Sequence, residues 1–235
     1  MSTESIVPVS VVAVMTSFNR RSATLACLER FEMAARQAGI EPNAVLVDDG
    51  STDGTATAVR KQYSWVEVMA GDGSLFWNRG MYQAQARAME RGADYLLWLN
   101  DDTDLLHDAI AKLLNTENTL RHKHGQSVMI VGSTADCETG RWTYGGHIAP
   151  QRWRPFSYQR AWHATEPIDC HVMNGNVVLI PMKIARVVGN LDPVFEHAMG
   201  DIDYALRVRA KGFRLFVAPG FVGHCSNNPA SGTYV

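Results

Sequence analysis

The stretch "YLLWLNDDTDLL", Tyr95 to Leu106, decides how this chain is read. Tyr95–Leu99 is apolar and of strand length, and it runs straight into Asn100, Asp101, Asp102 and Asp104. Carboxylates this close repel one another. Either a positive charge sits among them, or the cluster is a polar turn that opens the next helix. On the turn reading, Thr103 or Asp104 caps a helix starting near Leu105, where acidic residues suit the positive helix end. That explains Asp104 better than Asp101 and Asp102, which stand at the strand exit. Strand alternation would put Asn100 and Asp102 on one face and Asp101 on the other. A carboxylate facing a crevice is a common way to hold Mg²⁺ or Mn²⁺, with phosphate and water completing the shell.

Outward from this point a rhythm repeats. Val9–Met15 is β-branched and apolar, as in a strand covered on both faces, and Thr16–Arg20 is a polar loop. A helix follows over about 22–37, with Leu25, Leu28, Phe31 and Ala35 on one face and Gly39 as its stop. Ala44–Val47 is a strand, "DDGSTDGT" a loop and Ala56–Tyr63 a helix. Val66–Ala70 is a strand, "GDGSLFW" a loop and Asn78–Arg91 a helix. After Tyr95–Leu99 come a helix over about 105–121 and a strand over 127–132. Alternating strands and helices imply right-handed crossovers and a mainly parallel sheet. Ligands then bind beyond the carboxyl ends of the strands, which gathers Asn19, Asp48, Asp49, Asp72, Asn78, Asn100, Asp101 and Asp102 on one rim. After Gly132 the pattern loosens. Residues 134–170 are rich in aromatics, Arg and Gly, Asn176–Pro181 looks like a strand, Asp201–Lys211 a helix and "FRLFVAP" a last strand.

The 235 residues, 46% hydrophobic and 20% charged, suit one domain with a full core. A net charge of -2 gives no electrostatic reason to expect a nucleic-acid partner. Cys27, Cys137, Cys170 and Cys225 show neither zinc nor disulfide spacing, so reduced, mostly buried thiols in a cytoplasmic protein are expected. The N-terminus lacks a signal-peptide pattern. No apolar run nears the roughly 20 residues that span a bilayer. A soluble protein is expected, with peripheral contact at a membrane face left open.

"VLVDDGSTDGT" adds a second acidic loop, with Gly50 and Gly54 allowing tight turns and Ser51 and Thr52 offering donors. Two acids ending one strand and three ending another ask for a cation or a donor-rich ligand between them. Taken in order, "VAVMTSFNR", "VLVDDGSTDGT", "LLWLNDDTD" and "GDIDYALRVRAKGFRLF" resemble the motifs of family 2 glycosyltransferases. The likeness runs from about Val9 to His224. It implies a single α/β domain of GT-A type, Rossmann-like, with a mainly parallel sheet flanked by helices and a small acceptor-side region. Residues 1–133 would form the nucleotide-sugar half, and 134–235 the half for the acceptor and catalytic base.

The resemblance also implies roles. Thr16 would close on the nucleobase. Asp49 would accept a base N–H, which favours uracil or thymine over cytosine, while Asp48 either shares this work or is structural. Asn78 or Arg79 would reach the ribose or diphosphate, with Trp77 in the core as the plainer reading. Asn100 stands for the first acid of a DxD-type motif, Asp101 would face ribose or sugar, and Asp102 would bind Mn²⁺ or Mg²⁺ with help from His224. Asp201 aligns with the catalytic base, Gly200 replaces the Glu that usually precedes it, and Glu196 is the rival base. Asp201 could equally be the N-cap of its helix, with Asp203 favouring the dipole. Gly175 would line the sugar pocket.

Arg141, Arg152, Arg154, Arg160, Trp142, Tyr144, Trp153, Phe156, Tyr158 and Trp162 could wall an acceptor, a sugar or lipid-linked glycan, or could merely cover the sheet edge. "PQRWRP" places Gln151 directly against Arg152, the wrong spacing for the QxxRW of processive synthases. Transfer of single sugars from a UDP- or dTDP-sugar into a surface glycan is the implied activity. A nucleotidyltransferase making NDP-sugars would want a glycine-rich loop after the first strand, which "TSFNRRS" is not. An inactive sugar-nucleotide-binding scaffold is the third reading, prompted by Asn100 and Gly200.

Overall fold

The computed structural model describes residues 9–149 and 158–226. The first half alternates strictly: β1 (Val11–Ser17), α1 (Arg21–Gln37), β2 (Ala44–Asp48), α2 (Thr55–Gln62), β3 (Val66–Ala70), α3 (Phe76–Glu90) and β4 (Tyr95–Leu99). Then come β5 (Asp104–Leu105), α4 (Ala109–His124), β6 (Met129–Val131) and β7 (Thr134–Ala135). Four short strands follow, β8 (Gly146–Ile148), β9 (Gln159–Ala161), β10 (Ile168–Cys170) and β11 (Val172–Met173). The chain continues through β12 (Val177–Pro181), α5 (Met182–Val188), α6 (Gly200–Ala210), β13 (Leu215–Val217) and β14 (Gly223–His224).

Eight strands form the central sheet in the order β10-β13-β6-β12-β4-β1-β2-β3. The β1–β2, β2–β3, β1–β4 and β6–β13 pairs are parallel, whereas β12 runs antiparallel between β4 and β6. The expected mainly parallel sheet is present. Strand alternation splits its side chains between two cores. Val11, Ala13 and Met15 pack with Leu28, Phe31, Ile110 and Leu113 from α1 and α4. Val12 and Val14 face the other way, toward Met81, Ala84, Tyr204 and Val208 from α3 and α6. Burial on both faces is why these strands read as unbroken apolar runs.

Two departures concern the functional rim. The helix expected near Leu105 begins at Ala109, because Asp104 and Leu105 are drawn into antiparallel pairing with His224 and Gly223. Neither Thr103 nor Asp104 is therefore a helix cap. Thr103 Oγ1 donates to Asn176 Oδ1 at 2.9 Å, and Asp104 pairs with Arg30 at 2.8 Å. The aromatic segment folds into short strands, with β8 between β9 and β11 in a sheet of its own. Gln151, Arg152, Trp153, Arg154 and Phe156 lie outside the described residues.

Helices α3 and α6 meet without room for a side chain at Gly200. A Cβ there would overlap the Asn78 amide. The Gly standing where the related motif has Glu is thus dictated by Asn78, whose Nδ2 donates to the carbonyls of Asp192 and Phe195 at 2.7 and 2.9 Å. Gly200→Ala should destabilise the fold by about 1–3 kcal/mol through overpacking, measured as a lower urea midpoint with an unchanged m-value.

Candidate active site

The loops after β1 to β4 converge at the carboxyl end of the sheet around a cavity of about 450 Å³. Because β1 and β4 are hydrogen-bonded neighbours, their exits lie side by side. This brings Arg20 onto the acids. Its Nη1 lies 3.1 Å from Asp101 Oδ1 and 2.7 Å from Asp102 Oδ2. Burial alone would lower the Arg20 pKa, but the two carboxylates outweigh it and raise it further. The residue just before it is held by the second loop: Asn19 N–H donates to Ser51 Oγ, and Thr52 N–H donates to Asn19 Oδ1, both at 2.8 Å. Asn19 adopts φ +52, a left-handed conformation that Asn tolerates better than most residues. The positive charge that the acid cluster demands is supplied by the protein itself.

Sequence reasoning missed Arg20 as a partner, although "FNRRS" follows the strand that pairs with Tyr95–Leu99. Strand alternation also does not extend past Leu99. The chain turns there, and Asn100, Asp101 and Asp102 all line the cavity. Asp101 is 6% exposed, and Thr24 Oγ1 approaches its Oδ2 at 3.4 Å. Burial pushes its pKa up, against the opposing pull of Arg20 and a bond from Ser17. Asp102 is more open, and its Oδ1 accepts only a long bond from the Cys225 thiol at 3.5 Å. Asn100 Oδ1 is spoken for by Trp77 Nε1–H at 2.8 Å.

The second loop divides its two acids. The Asp48 carboxylate accepts from the N–H groups of Ser51 and Ala56, tying the loop to the first turn of α2. Asp49 lines the cavity together with Thr16. Its Oδ1 accepts from Gly73 N–H at 2.8 Å, and its Oδ2 from Leu75 and Phe76 N–H at 3.0 Å each. Oδ1 therefore keeps one acceptor position. Phe18 and Phe76 stand at the same cavity, 53% and 38% exposed. Phe76 holds φ +55 and packs its ring 4.1 Å from that of His197, a cavity residue not expected from sequence.

Asn78 and Arg79, expected from sequence near the ribose or diphosphate, turn elsewhere. Asn78 is fully buried. Arg79 donates to the Pro193 carbonyl at 3.0 Å and pairs with Glu196 at 3.1 Å. Together they clamp the 192–197 loop that delivers His197. Neither Asp201 nor Gly175 lines this cavity; they meet each other, with Gly175 N–H donating to Asp201 Oδ2 at 2.9 Å and Ile202 N–H to Oδ1 at 2.9 Å. The Trp77 indole packs over Gly175, which has no space for a Cβ. Burial raises the Asp201 pKa against both backbone bonds. His224 does not join Asp102 at the cavity. It sits opposite Asp104 in the β5–β14 ladder, its Nδ1 buried without a partner among the described residues.

Among the described residues, no three His, Cys, Asp or Glu side chains converge as a ready cation cage. Asp102 Oδ1 is nonetheless a carboxylate oxygen not engaged by Arg20. A single carboxylate, with phosphate and water completing the shell, fits Mg²⁺-type binding.

The Glycosyl transferase family 2 profile matches residues 12–185, and the chain belongs to that family. Its fold is GT-A. A mannosyltransferase, PcManGT from Pyrobaculum calidifontis, solved in complex with GDP-Man and Mn²⁺, is similar with a TM-score of 0.59 and 16% identity. The likeness covers 94% of this chain and 58% of that one, so this chain spans under two thirds of the neighbour's length. No curated protein matches it. No helix among the described residues is long and apolar enough to cross a membrane.

Replacing Arg20 with Gln should cost about 1–2 kcal/mol in urea unfolding. That is less than for a fully buried pair, because the Arg20 side chain is 43% exposed. A variant as stable as the parent would show that the acids do not need this guanidinium.

Proposed function

We propose that the chain transfers a sugar from a UDP- or dTDP-sugar to a hydroxyl acceptor with inversion, Asp201 acting as base. One observation carries this reading: carboxylates from the second and fourth βα loops and exposed aromatic rings face each other across one cavity, the arrangement a nucleoside diphosphate needs. The base would lie between Phe18 and Phe76. Its imide N–H would donate to the acceptor position left on Asp49 Oδ1, close to Thr16. Uracil and thymine present that donor, and cytosine does not.

Asp101 stays bonded to Arg20 and sets the floor beneath the ribose or sugar. Asp102 would hold Mn²⁺ or Mg²⁺ through its Oδ1, without His224. When bound, such an ion supplies Lewis-acid stabilisation of charge on the departing diphosphate. In the transfer itself the acceptor oxygen attacks the anomeric carbon, the bond from that carbon to the phosphate oxygen breaks, and the hydroxyl proton passes to Asp201. Burial suits Asp201 for this, since a raised pKa makes a carboxylate a stronger base. Glu196, exposed and paired with Arg79, is the poorer candidate. The acceptor is a sugar or lipid-linked glycan, reached at the cytoplasmic face in surface-glycan synthesis.

Asp201→Asn should lower kcat by roughly 10²–10⁴-fold, while Glu196→Gln stays within a few-fold. Near-normal turnover of Asp201→Asn would move the base elsewhere. The pH dependence follows from the raised pKa: activity should fall as the solution is acidified, with its acid limb above the ordinary aspartate range. Stability runs the other way. A raised folded pKa contributes most below the unfolded value and is lost as pH climbs through the folded one. Urea titrations of the parent relative to Asp201→Asn should therefore show declining relative stability with rising pH. A thermal-shift screen with Mn²⁺ should rank UDP or dTDP, and their sugars, above CDP by mass action. Equal shifts for CDP would remove Asp49 as the base reader.

A further inference from the structure

A second cavity, of about 440 Å³, is lined by Gly140, Trp142, Arg160, Trp162 and Phe221. It shares no lining residue with the first. Trp162 is 41% exposed and stacks on Phe221 with ring centroids 5.2 Å apart and planes 26° from parallel. The Arg160 guanidinium lies 4.6 Å from the centre of the Trp142 ring. Unlike Arg20, Arg79 or Arg214, Arg160 has no carboxylate in ion-pair reach among the described residues. Its guanidinium lines the cavity while resting on the Trp142 ring.

The cavity is joined to the first one by backbone. The Cys225 thiol touches Asp102, Cys225 N–H donates to the Ala135 carbonyl, and Ala135 bridges to Trp142. Two strand spacings, roughly 10 Å, therefore separate the chain beside Asp102 from Trp142. That span is within reach of a short sugar chain.

We infer that this cavity holds the distal part of an acidic glycan acceptor. A pyranose C–H face would lie on the exposed Trp162, and a carboxylate or phosphate substituent on Arg160 beside Trp142. The aromatic faces favour a sugar ring, which offers apolar surface on one side and hydroxyls on its edge. A guanidinium with no carboxylate in ion-pair reach among the described residues favours an anion. The inference rests on the proposed function, since it names the substrate class that the transfer would extend.

The test uses trigalacturonate, with maltotriose as neutral comparator, titrated against the full chain by calorimetry and saturation-transfer NMR. Trigalacturonate should bind in the roughly millimolar range. Trp162→Ala should weaken it about fivefold or more. Arg160→Gln should weaken trigalacturonate while leaving maltotriose unchanged. Both variants should bind UDP with Mn²⁺ as the parent does, which reports an intact fold. No binding of trigalacturonate to the parent, or an affinity unchanged from the parent's in both variants, overturns the inference. Glycan binding lost in Trp162→Ala alongside a parent that binds no UDP would leave this site standing and remove the nucleotide-sugar reading. UDP binding without glycan binding gives the reverse.

Discussion

Two neighbouring carboxylates at the mouth of a buried strand can be built only if something cancels their repulsion, and Arg20 does so. Its reach depends on Asn19 being locked to Ser51 and Thr52, so the second loop determines how the first loop meets the fourth. One guanidinium against two acids leaves one negative charge uncancelled. Asp101 is buried and committed, while Asp102 is open, so the excess faces the cavity from Asp102. The sheet order makes this geometry unavoidable, because β1 and β4 are hydrogen-bonded neighbours in the parallel core.

The start of α3 is the second organising element. Four consecutive residues do four different things. Trp77 spans from Asn100 to Gly175, Asn78 anchors the 192–196 loop, Arg79 pairs with Glu196, and Gly80 allows the helix to approach Thr16. The helix thereby connects the cavity-lining loops of the first half to the segment carrying His197 and Asp201. Phe76 begins it at positive φ, and Met199 precedes α6 at φ +74, so the connection on both sides runs through backbone that ordinary residues rarely adopt.

Much of the first half was legible in the sequence. Val66–Ala70 and Tyr95–Leu99 have the same limits in the sequence pattern as in the structure, and α1 and α2 differ by a residue or so. Apolar runs buried on both faces, separated by polar loops, leave little freedom. The second half was less legible for a physical reason. Apart from β12, its strands are two or three residues long, too short for periodicity to register, and they pair with partners far away in sequence, as His224 does with Asp104. The same limit governed the site. Asp49, Asp101 and Asp102 reach the cavity because strand exits in an α/β sheet share a rim. Asn78 and His224 do not line the cavity, because a residue's side of a helix or ladder depends on packing that spacing does not encode. Arg20 escaped notice because an arginine beside a loop usually faces solvent.

The Cys225 thiol that rests on Asp102 has a practical corollary for labelling. Burial, then the neighbouring carboxylate, push its pKa up to about 12, so at neutral pH almost none of it is thiolate. Cys27 is buried, and burial followed by Asp101 likewise pushes its pKa up, while Cys170 is buried in the sheet. Cys137 is the exposed thiol among the four. A maleimide dye or spin label should thus attach at Cys137 in the native chain, on the turn after β7. That gives a reporter site outside the acid-lined cavity without engineering a cysteine.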